Sequence, residues 1–355
     1  MKRKLLIIVN VDWFFLSHRL PIAIAAMEQG YEVHLACGVT NKRAVIERYG
    51  IKVHPLRLSR SGFSLYSEIG LIWQLFTIVK MVGPSVLHTV TIKPVLYGML
   101  CGRILGVRRR IAAISGLGYV FIANDLRARA LRFFVLGLYR AALRDEAVVV
   151  FQNSSDLKLI QSTCDLKPEQ CVLIHGSGVN LDEYCAKAED KSGQVVMLIA
   201  RLLFDKGVCE FVGAAKLVKG MLPNAKLVLV GDIDPENPKS ITQEMLASWV
   251  ANGDIEHWGY SEDIPSVIAG ANLIVLPSYR EGLPRVLIEA AACQRAIITT
   301  DVPGCRDAII PNITGVLVPP KTTQPLAESI EDLLVDIVKR ETLAINGRRL
   351  AESKF

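Results

Sequence analysis

The sequence predicts an α/β protein of two doubly wound parallel-sheet domains, and three observations carry that prediction. Short apolar runs alternate with amphipathic stretches along nearly all of the 355 residues, the pattern expected of β-α units. That length suffices for two domains, each burying its own core. One polar, aperiodic stretch, 180–194 (NLDEYCAKAEDKSGQ), separates two such alternating sets.

The first strand is expected over 5–11, where Leu5 to Val9 is uninterruptedly apolar. Met1-Lys2-Arg3-Lys4 ahead of it imitates the basic head of a signal peptide. Asn10 and Asp12 end the run, however, and no small-residue cleavage site follows, so a buried strand is the better reading. Strands over 32–36, 53–56, 85–88, 110–114, 147–151 and 171–175 then alternate with helical patterns over 16–29, 65–81, 94–105, 126–143 and 155–163. These complete an N-terminal domain, 1–180. After a linker at 181–194, strands are expected over 195–200, 226–230, 256–259, 273–277, 296–299 and 315–318. Helices over 208–219, 241–251, 263–269, 284–292 and 324–338 fill out a C-terminal domain, 195–355. Open parallel sheets bind ligands beyond the carboxyl ends of their strands. The residues just after each strand are therefore where chemistry is expected, with the two domains facing a cleft.

Composition narrows the class. Half the residues are hydrophobic and 21% are charged, as in globular proteins, although the mean hydropathy of +0.32 is high. The chain contains no apolar stretch of the roughly 18–20 residues that a membrane span needs. Eight scattered cysteines, without a C-x-x-C pair or a His at metal spacing, read as reduced cytosolic thiols. Up to Gly178 there are 23 Lys and Arg against 11 Asp and Glu, a balance of +12; the remainder has 18 against 24, or −6. The basic half is expected to meet something anionic: a lipid headgroup layer, a polyprenyl diphosphate or nucleic acid.

The most informative segment is 278–289 (SYREGLPRVLIE), directly after an expected strand. Pro284 suits the first turn of a helix, and Gly282 lets the backbone approach a ligand. A helix start of this kind suits a diphosphate. Glu281 can then accept hydrogen bonds from sugar hydroxyls. Glu289 lies eight residues on, roughly 12 Å away if all of it were helical, within reach of a ribose. A second cluster, 199–207 (IARLLFDKG), puts Arg201 and Lys206 after the first strand of the second domain.

E-G-L-P with a second Glu eight residues after the first resembles the E-x7-E motif of family-four retaining glycosyltransferases, two-lobed enzymes of the GT-B type with Rossmann-like domains. The resemblance extends over nearly the whole chain. It implies that Glu281 contacts the transferred sugar and Glu289 the nucleotide ribose, with Gly282, Leu283 and Pro284 at the donor. Arg201 and Lys206 resemble the family's Arg/Lys pair, which neutralises the departing diphosphate. In the first domain, 16–21 (LSHRLP), 88–94 (HTVTIKP) and 115–119 (SGLGY) resemble a bacterial branch that includes polyprenyl-linked N-acetylgalactosaminyl-, O-antigen and capsule transferases. By that resemblance His18, Arg19, His88 and Lys93 line the acceptor and diphosphate side, and Gly116 and Gly118 allow close backbone approach. Gly176-Ser177-Gly178-Val179-Asn180 resembles the family's hinge loop.

The D-x-D spacing of Asp232 and Asp234 is read as a polar loop, since GT-B enzymes use cationic side chains and helix dipoles in place of a metal. Leu126 to Arg144 holds five arginines among apolar residues. That pattern fits a helix lying in a membrane interface or one packed on the sheet with its arginines snorkelling.

The expected activity is transfer of a hexose or HexNAc, with retention, from a UDP-sugar to a polyprenyl-diphosphate-linked saccharide in cell-surface polysaccharide or glycan assembly. No metal or other cofactor is expected. The implied partners are the donor, the lipid-linked acceptor and the cytoplasmic face of the inner membrane, where a peripheral cytoplasmic enzyme would sit; nucleic acid is not among them. Two alternatives stand beside it. One is a nucleotide-sugar epimerase of the same architecture. The other is an inactive two-lobed nucleotide-sugar-binding protein, because the family's final helix, which crosses back to the first lobe, would begin where this chain stops at Phe355. A NAD-dependent dehydrogenase is disfavoured, since no G-x-G-x-x-G follows 5–11.

Overall fold

A computed structural model describes residues 2–58, 65–117, 126–235 and 237–355. The chain divides into two compact units, Met1–Ser177 and Gly178–Phe355. The first contains strands β1 (Lys4–Val11), β2 (Glu32–Gly38), β3 (Lys52–Pro55), β4 (Val86–Val90), β5 (Arg109–Ile114), β6 (Ala147–Phe151) and β7 (Cys171–Leu173). Its helices are α1 (Asp12–His18), α2 (Leu20–Glu28), α3 (Arg43–Arg48), α4 (Leu65–Val82), α5 (Met99–Ile104), α6 (Leu126–Ala142) and α7 (Ser154–Cys164). The strands run parallel in the order β3-β2-β1-β4-β5-β6-β7. Parallel neighbours need crossovers, which is why helices intervene. Side chains alternate across β1: Leu6 and Ile8 pack with α4, α5, α6 and α7, and Leu5, Ile7 and Val9 with α1, α2 and α3.

The second unit contains β8 (Val195–Ile199), β9 (Lys226–Val230), β10 (Glu256–Gly259), β11 (Leu273–Leu276), β12 (Ala296–Thr300) and β13 (Val316–Val318). Between and after them lie α8 (Val208–Met221), α9 (Gln243–Ala251), α10 (Ile264–Ala269), α11 (Arg285–Ala292), α12 (Gln324–Val335) and α13 (Ile337–Lys354). These strands are parallel in the order β10-β9-β8-β11-β12-β13, with a core on each face. Among the described residues no helix is long and apolar enough to cross a membrane.

Four sequence expectations change. The helix read over 16–29 is two helices: α1 starts directly after β1, and Arg19 (φ −132°, ψ −8°) breaks it before α2. Pro21, in the first turn of α2, lacks an N–H and its ring would crowd a continuous helix. Asp12 is buried at the start of α1, where it accepts from the Thr40 and Lys42 amides at 2.7 and 3.2 Å. The pattern over 94–105 opens with a π-helical turn, Pro94–Gly98, before α5. The pattern over 324–338 ends at Val335, and Asp336 caps α13 by accepting from the Lys339 amide at 2.9 Å. Finally, α3 and α13 were not anticipated.

The stretch 181–194 falls within the second unit and packs on it. Tyr184 is buried, and Glu189 pairs at 2.7 Å with the fully buried Arg340 of α13. Arg340 also donates to the Leu333 and Leu334 carbonyls at 2.9 and 3.1 Å, satisfying the carboxyl end of α12.

Candidate active site

In the second sheet the chain goes from β8 outward to β9 and β10, then returns to the other side of β8 at β11. The loops after β8 and β11 therefore diverge around a crevice at the switch point. The loop after β8 carries Arg201 and Lys206; the loop after β11 carries Ser278 and Glu281. Lys206 Nζ is ion-paired with Glu281 Oε1, and both side chains are largely buried. Ser278 Oγ lies 2.7 Å from Glu281 Oε1 and 3.0 Å from the Asp205 carbonyl, so its one proton serves either. The Tyr279 amide donates to the Asp205 carbonyl at 2.9 Å, and its hydroxyl donates to Glu210 at 2.7 Å.

Two glycines enforce this proximity. Gly207 (φ +74°) lies so close to the Pro277 carbonyl that a Cβ would overlap it, which locks the β8 loop onto the β11 loop. Gly304 (φ +85°), after β12, is similarly pressed against the Glu281 carbonyl. Burial, and then the charge of Glu281, pushes the thiol of the neighbouring Cys305 up to about 12. That thiol stays protonated and is no nucleophile at neutral pH.

Arg201 is half-exposed and donates through Nη1 to Asp234 Oδ2 at 2.9 Å, so one carboxylate of the D-x-D spacing is its partner. Beside this pair, at the ends of β9 and β10, is a cavity of about 630 Å³ whose walls include Asp232, Ile233, Ile241, Leu246 and His257. Gly282, Leu283 and Pro284 are buried and lead into α11. Pro284 precedes the first helical residue, Arg285, where it had been expected inside the first turn. The path from Glu281 to Glu289 is therefore only partly helical, and the roughly 12 Å separation of a full helix does not apply. Glu289 is buried, ion-paired with Arg285 at 2.6 Å and hydrogen-bonded to Tyr184. Burial raises its pKa, against the opposing pull of Arg285 and Tyr184.

The first sheet has its own switch point, between β1 and β4. Arg19, buried there, donates through Nη1 to the His18 carbonyl at 2.9 Å and to Ser177 Oγ at 3.2 Å, while its Nε has no partner among the described residues. Burial lowers its pKa to about 10. His88, at the centre of β4, is buried with neither ring nitrogen partnered among the described residues, and burial followed by the Arg19 charge lowers its pKa to about 3. Thr91 follows β4 at φ +75°, a strained conformation for a β-branched residue. His18 stacks on Phe14 with ring centroids 4.3 Å apart, and its Nδ1 is 2.6 Å from Ser17 Oγ. Lys93 pairs at 2.6 Å with Glu68, a buried residue of α4. The structure thus unites Arg19, His88 and Ser177 and ties Lys93 to α4. Gly116 (φ +121°) follows β5, and Gly118 lies outside the described residues. Sequence reasoning missed Ser278, Glu68, Tyr184 and the two locking glycines, and did not pair Asp234 with Arg201; Ser278, Gly207 and Gly304 lie in loops that follow strands, whereas Glu68 within α4 and Tyr184 in the 181–194 stretch carried no local signal.

Known proteins agree with this architecture. The model for glycosyl transferases group 1 matches residues 157–350, and that for glycosyl transferase 4-like domains matches 4–153. The chain is 29% identical over 354 residues to the N,N'-diacetylbacillosaminyl-diphospho-undecaprenol alpha-1,3-N-acetylgalactosaminyltransferase of Campylobacter jejuni, covering 94% of this chain and 92% of that one. It is 25% identical over 356 residues to the capsular polysaccharide biosynthesis glycosyltransferase CapM of Staphylococcus aureus, covering 96% and 91%. In fold it resembles the Anabaena protein HepE, solved in complex with UDP, at a TM-score of 0.77 and 17% identity over 99% of this chain and 95% of that one. With two parallel α/β sheets of this kind and family models along both units, the chain belongs to the group 1 glycosyl transferases of the GT-B fold.

Proposed function

We propose that this glycosyltransferase moves a hexose or HexNAc, with retention, from a UDP-sugar to a polyprenyl-diphosphate-linked saccharide in cell-surface polysaccharide or glycan assembly. The observation that carries the reading is the convergence of Arg201, Lys206 and Glu281 at one switch point. Two cations there can take up the charge that develops on a departing nucleoside diphosphate. Both rest on carboxylates, so a diphosphate replaces Asp234 and Glu281 as their partners. Glu281 is then released to accept hydrogen bonds from the sugar. Gly282, Leu283 and Pro284 bring the donor to the start of α11, and Glu289 receives the ribose. The acceptor attacks from the face the diphosphate leaves, and the departing phosphate takes its proton. No protein nucleophile, metal or other cofactor is needed.

On the acceptor side, Arg19 is a buried cation whose Nε has no partner among the described residues, an arrangement that an acceptor diphosphate would complete, with His88 beside it; the resemblance adds His18 and Lys93 to that side. Support for the UDP donor comes from the UDP bound in HepE, and for the lipid-linked acceptor from the name of the Campylobacter relative. The enzyme would work at the cytoplasmic face of the inner membrane.

The test is a screen of UDP-sugars against a short-chain polyprenyl-diphosphate sugar, comparing the wild type with Glu281→Ala. Transfer is expected to fall by about 10²–10³-fold in the variant, and the product to keep the donor's anomeric configuration. Unchanged transfer would remove Glu281 from the site, an inverted product would overturn retention, and turnover of donor without any acceptor would favour an epimerase.

A further inference from the structure

Helix α4 is apolar on both sides. Leu71, Leu75, Ile78, Val79 and Val82 face the sheet, and Tyr66, Ile69, Trp73 and Met81 stand on the opposite side, exposed. At 3.6 residues per turn these four form one stripe along the helix. The exposure is large: 89% for Tyr66 and 69% for Trp73. Helices α4, α5 and α6 form one layer over the same face of the first sheet, and α6 adds Phe133, 84% exposed, and Phe134. A surface helix ordinarily turns charges to water, so apolar exposure on this scale marks a docking face.

Charge decides what docks there. In α4, α5 and α6 the sequence holds a single acidic residue, Glu68, against Lys80, Arg103, Arg127, Arg129, Arg132 and Arg140. Glu68 is buried against Lys93, so it contributes no negative charge to the outer face. Arg103 is paired with Asp145 just after α6, and the remaining basic residues of the three helices outnumber their one, buried, carboxylate. Aromatic side chains with a polar edge, on helices this rich in basic residues, match an anionic lipid interface.

We infer that the outer face of α4 and α6 docks on an anionic phospholipid surface, with Tyr66, Ile69 and Trp73 entering the interface and Lys80 meeting the headgroups. This deepens the proposed lipid-linked chemistry and rests on it for its purpose. Because Glu68 projects from the inner side of the same helix to hold Lys93, the element that meets the bilayer also sets the lysine assigned to the acceptor.

The experiment is flotation of the full chain with vesicles of phosphatidylcholine containing phosphatidylglycerol, and with phosphatidylcholine alone. The wild type should float with the anionic vesicles and less with the neutral ones. Tyr66→Ser/Trp73→Ser should lower partitioning about tenfold or more, leaving the thermal melt and transfer to a water-soluble short-chain acceptor unchanged. Lys80→Glu should weaken binding to the anionic vesicles alone. A wild type that does not float, or a double variant that floats like it, overturns the inference. So does a wild-type dimer that the double variant splits, which would make this face a protein interface. If vesicle binding behaves as expected while no donor and acceptor react, the enzymatic reading fails and the docking face stands.

Discussion

The two switch-point crevices share a topology and differ in electrostatics. In the second unit each named cation rests on a carboxylate: Arg201 on Asp234, Lys206 on Glu281, Arg285 on Glu289. In the first, Lys93 rests on Glu68, but among the described residues Arg19 is bonded only to neutral oxygens and His88 beside it has no partner for either ring nitrogen. A crevice with internal ion pairs is complete at rest and must exchange partners to bind an anion. One that buries a cation without a carboxylate carries a desolvation cost that an anion can relieve. The same sheet geometry thus holds carboxylate-paired cations in one unit and, in the other, a buried cation without a carboxylate. The charge balance of +12 up to Gly178 and −6 beyond runs the same way.

The largest effect is expected where the second crevice is stripped of its inner cation. Lys206→Ala leaves the Glu281 carboxylate bonded to Ser278 and removes one of the two cations assigned in the proposed mechanism to the leaving diphosphate. We expect kcat to fall by about 10²–10³-fold, while the KM for the donor changes far less. A matched fall in binding and turnover would mean that Lys206 only holds Glu281 in place.

How much of this contrast was legible beforehand follows from what a sequence encodes. β6, β9 and β10 begin and end where their expected strands do; in β9 the reason is that Leu227 to Val230, buried on both faces of the parallel sheet, form a continuous apolar run. Arg201, Lys206 and Glu281 were singled out because they follow strands and match the motifs that the sequence resembles. Their adjacency was not, because it depends on β8 and β11 being neighbours, and strand order leaves no local trace. Asp234 was legible as a carboxylate but not as the partner of Arg201, 33 residues away. Helix α13 escaped because it buries Arg340 and Gly347 among its apolar residues, which blurs the helical period. That burial is stable only because Glu189 and the end of α12, both distant in sequence, meet the guanidinium.

Acid should act on the first crevice more than on the second. His88 is lowered from 6.5 to about 3 in the folded chain. Between these values the unfolded chain binds a proton that the folded chain does not. Stability therefore falls as the pH drops below 6.5, by at most about 1.4 kcal/mol per unit, and the loss levels off below about 3. Urea unfolding of wild type and His88→Gln at pH 6.5 and 4.5 should differ in acid sensitivity by about 2–3 kcal/mol, the wild type being the more sensitive. His34 and His54, also lowered by burial, are common to both proteins and cancel. Equal acid sensitivity would mean that His88 reaches water.

Arg19→Met sharpens the comparison from the other direction. A buried cation without a carboxylate can be replaced by an apolar chain of similar volume with little loss, or a gain of about 1 kcal/mol. Inorganic diphosphate should raise the melting temperature of the wild type and leave the variant unmoved. The acceptor KM should rise about tenfold, as expected when a charge-assisted hydrogen bond to phosphate is removed. Loss of several kcal/mol would instead make Arg19 a structural residue and end the contrast.

The smallest expected effect probes the carboxylate-paired crevice. The Arg201–Asp234 pair is half in solvent, so it is worth about 0.2–1 kcal/mol. If Asp234 competes with phosphate for the guanidinium, Asp234→Asn should tighten UDP by about twofold to fivefold, which titration calorimetry can read. If Asp234 instead holds Arg201 in the geometry that phosphate needs, the same change weakens UDP. The sign of a small shift therefore distinguishes a crevice that must exchange partners from one whose ion pairs are scaffolding.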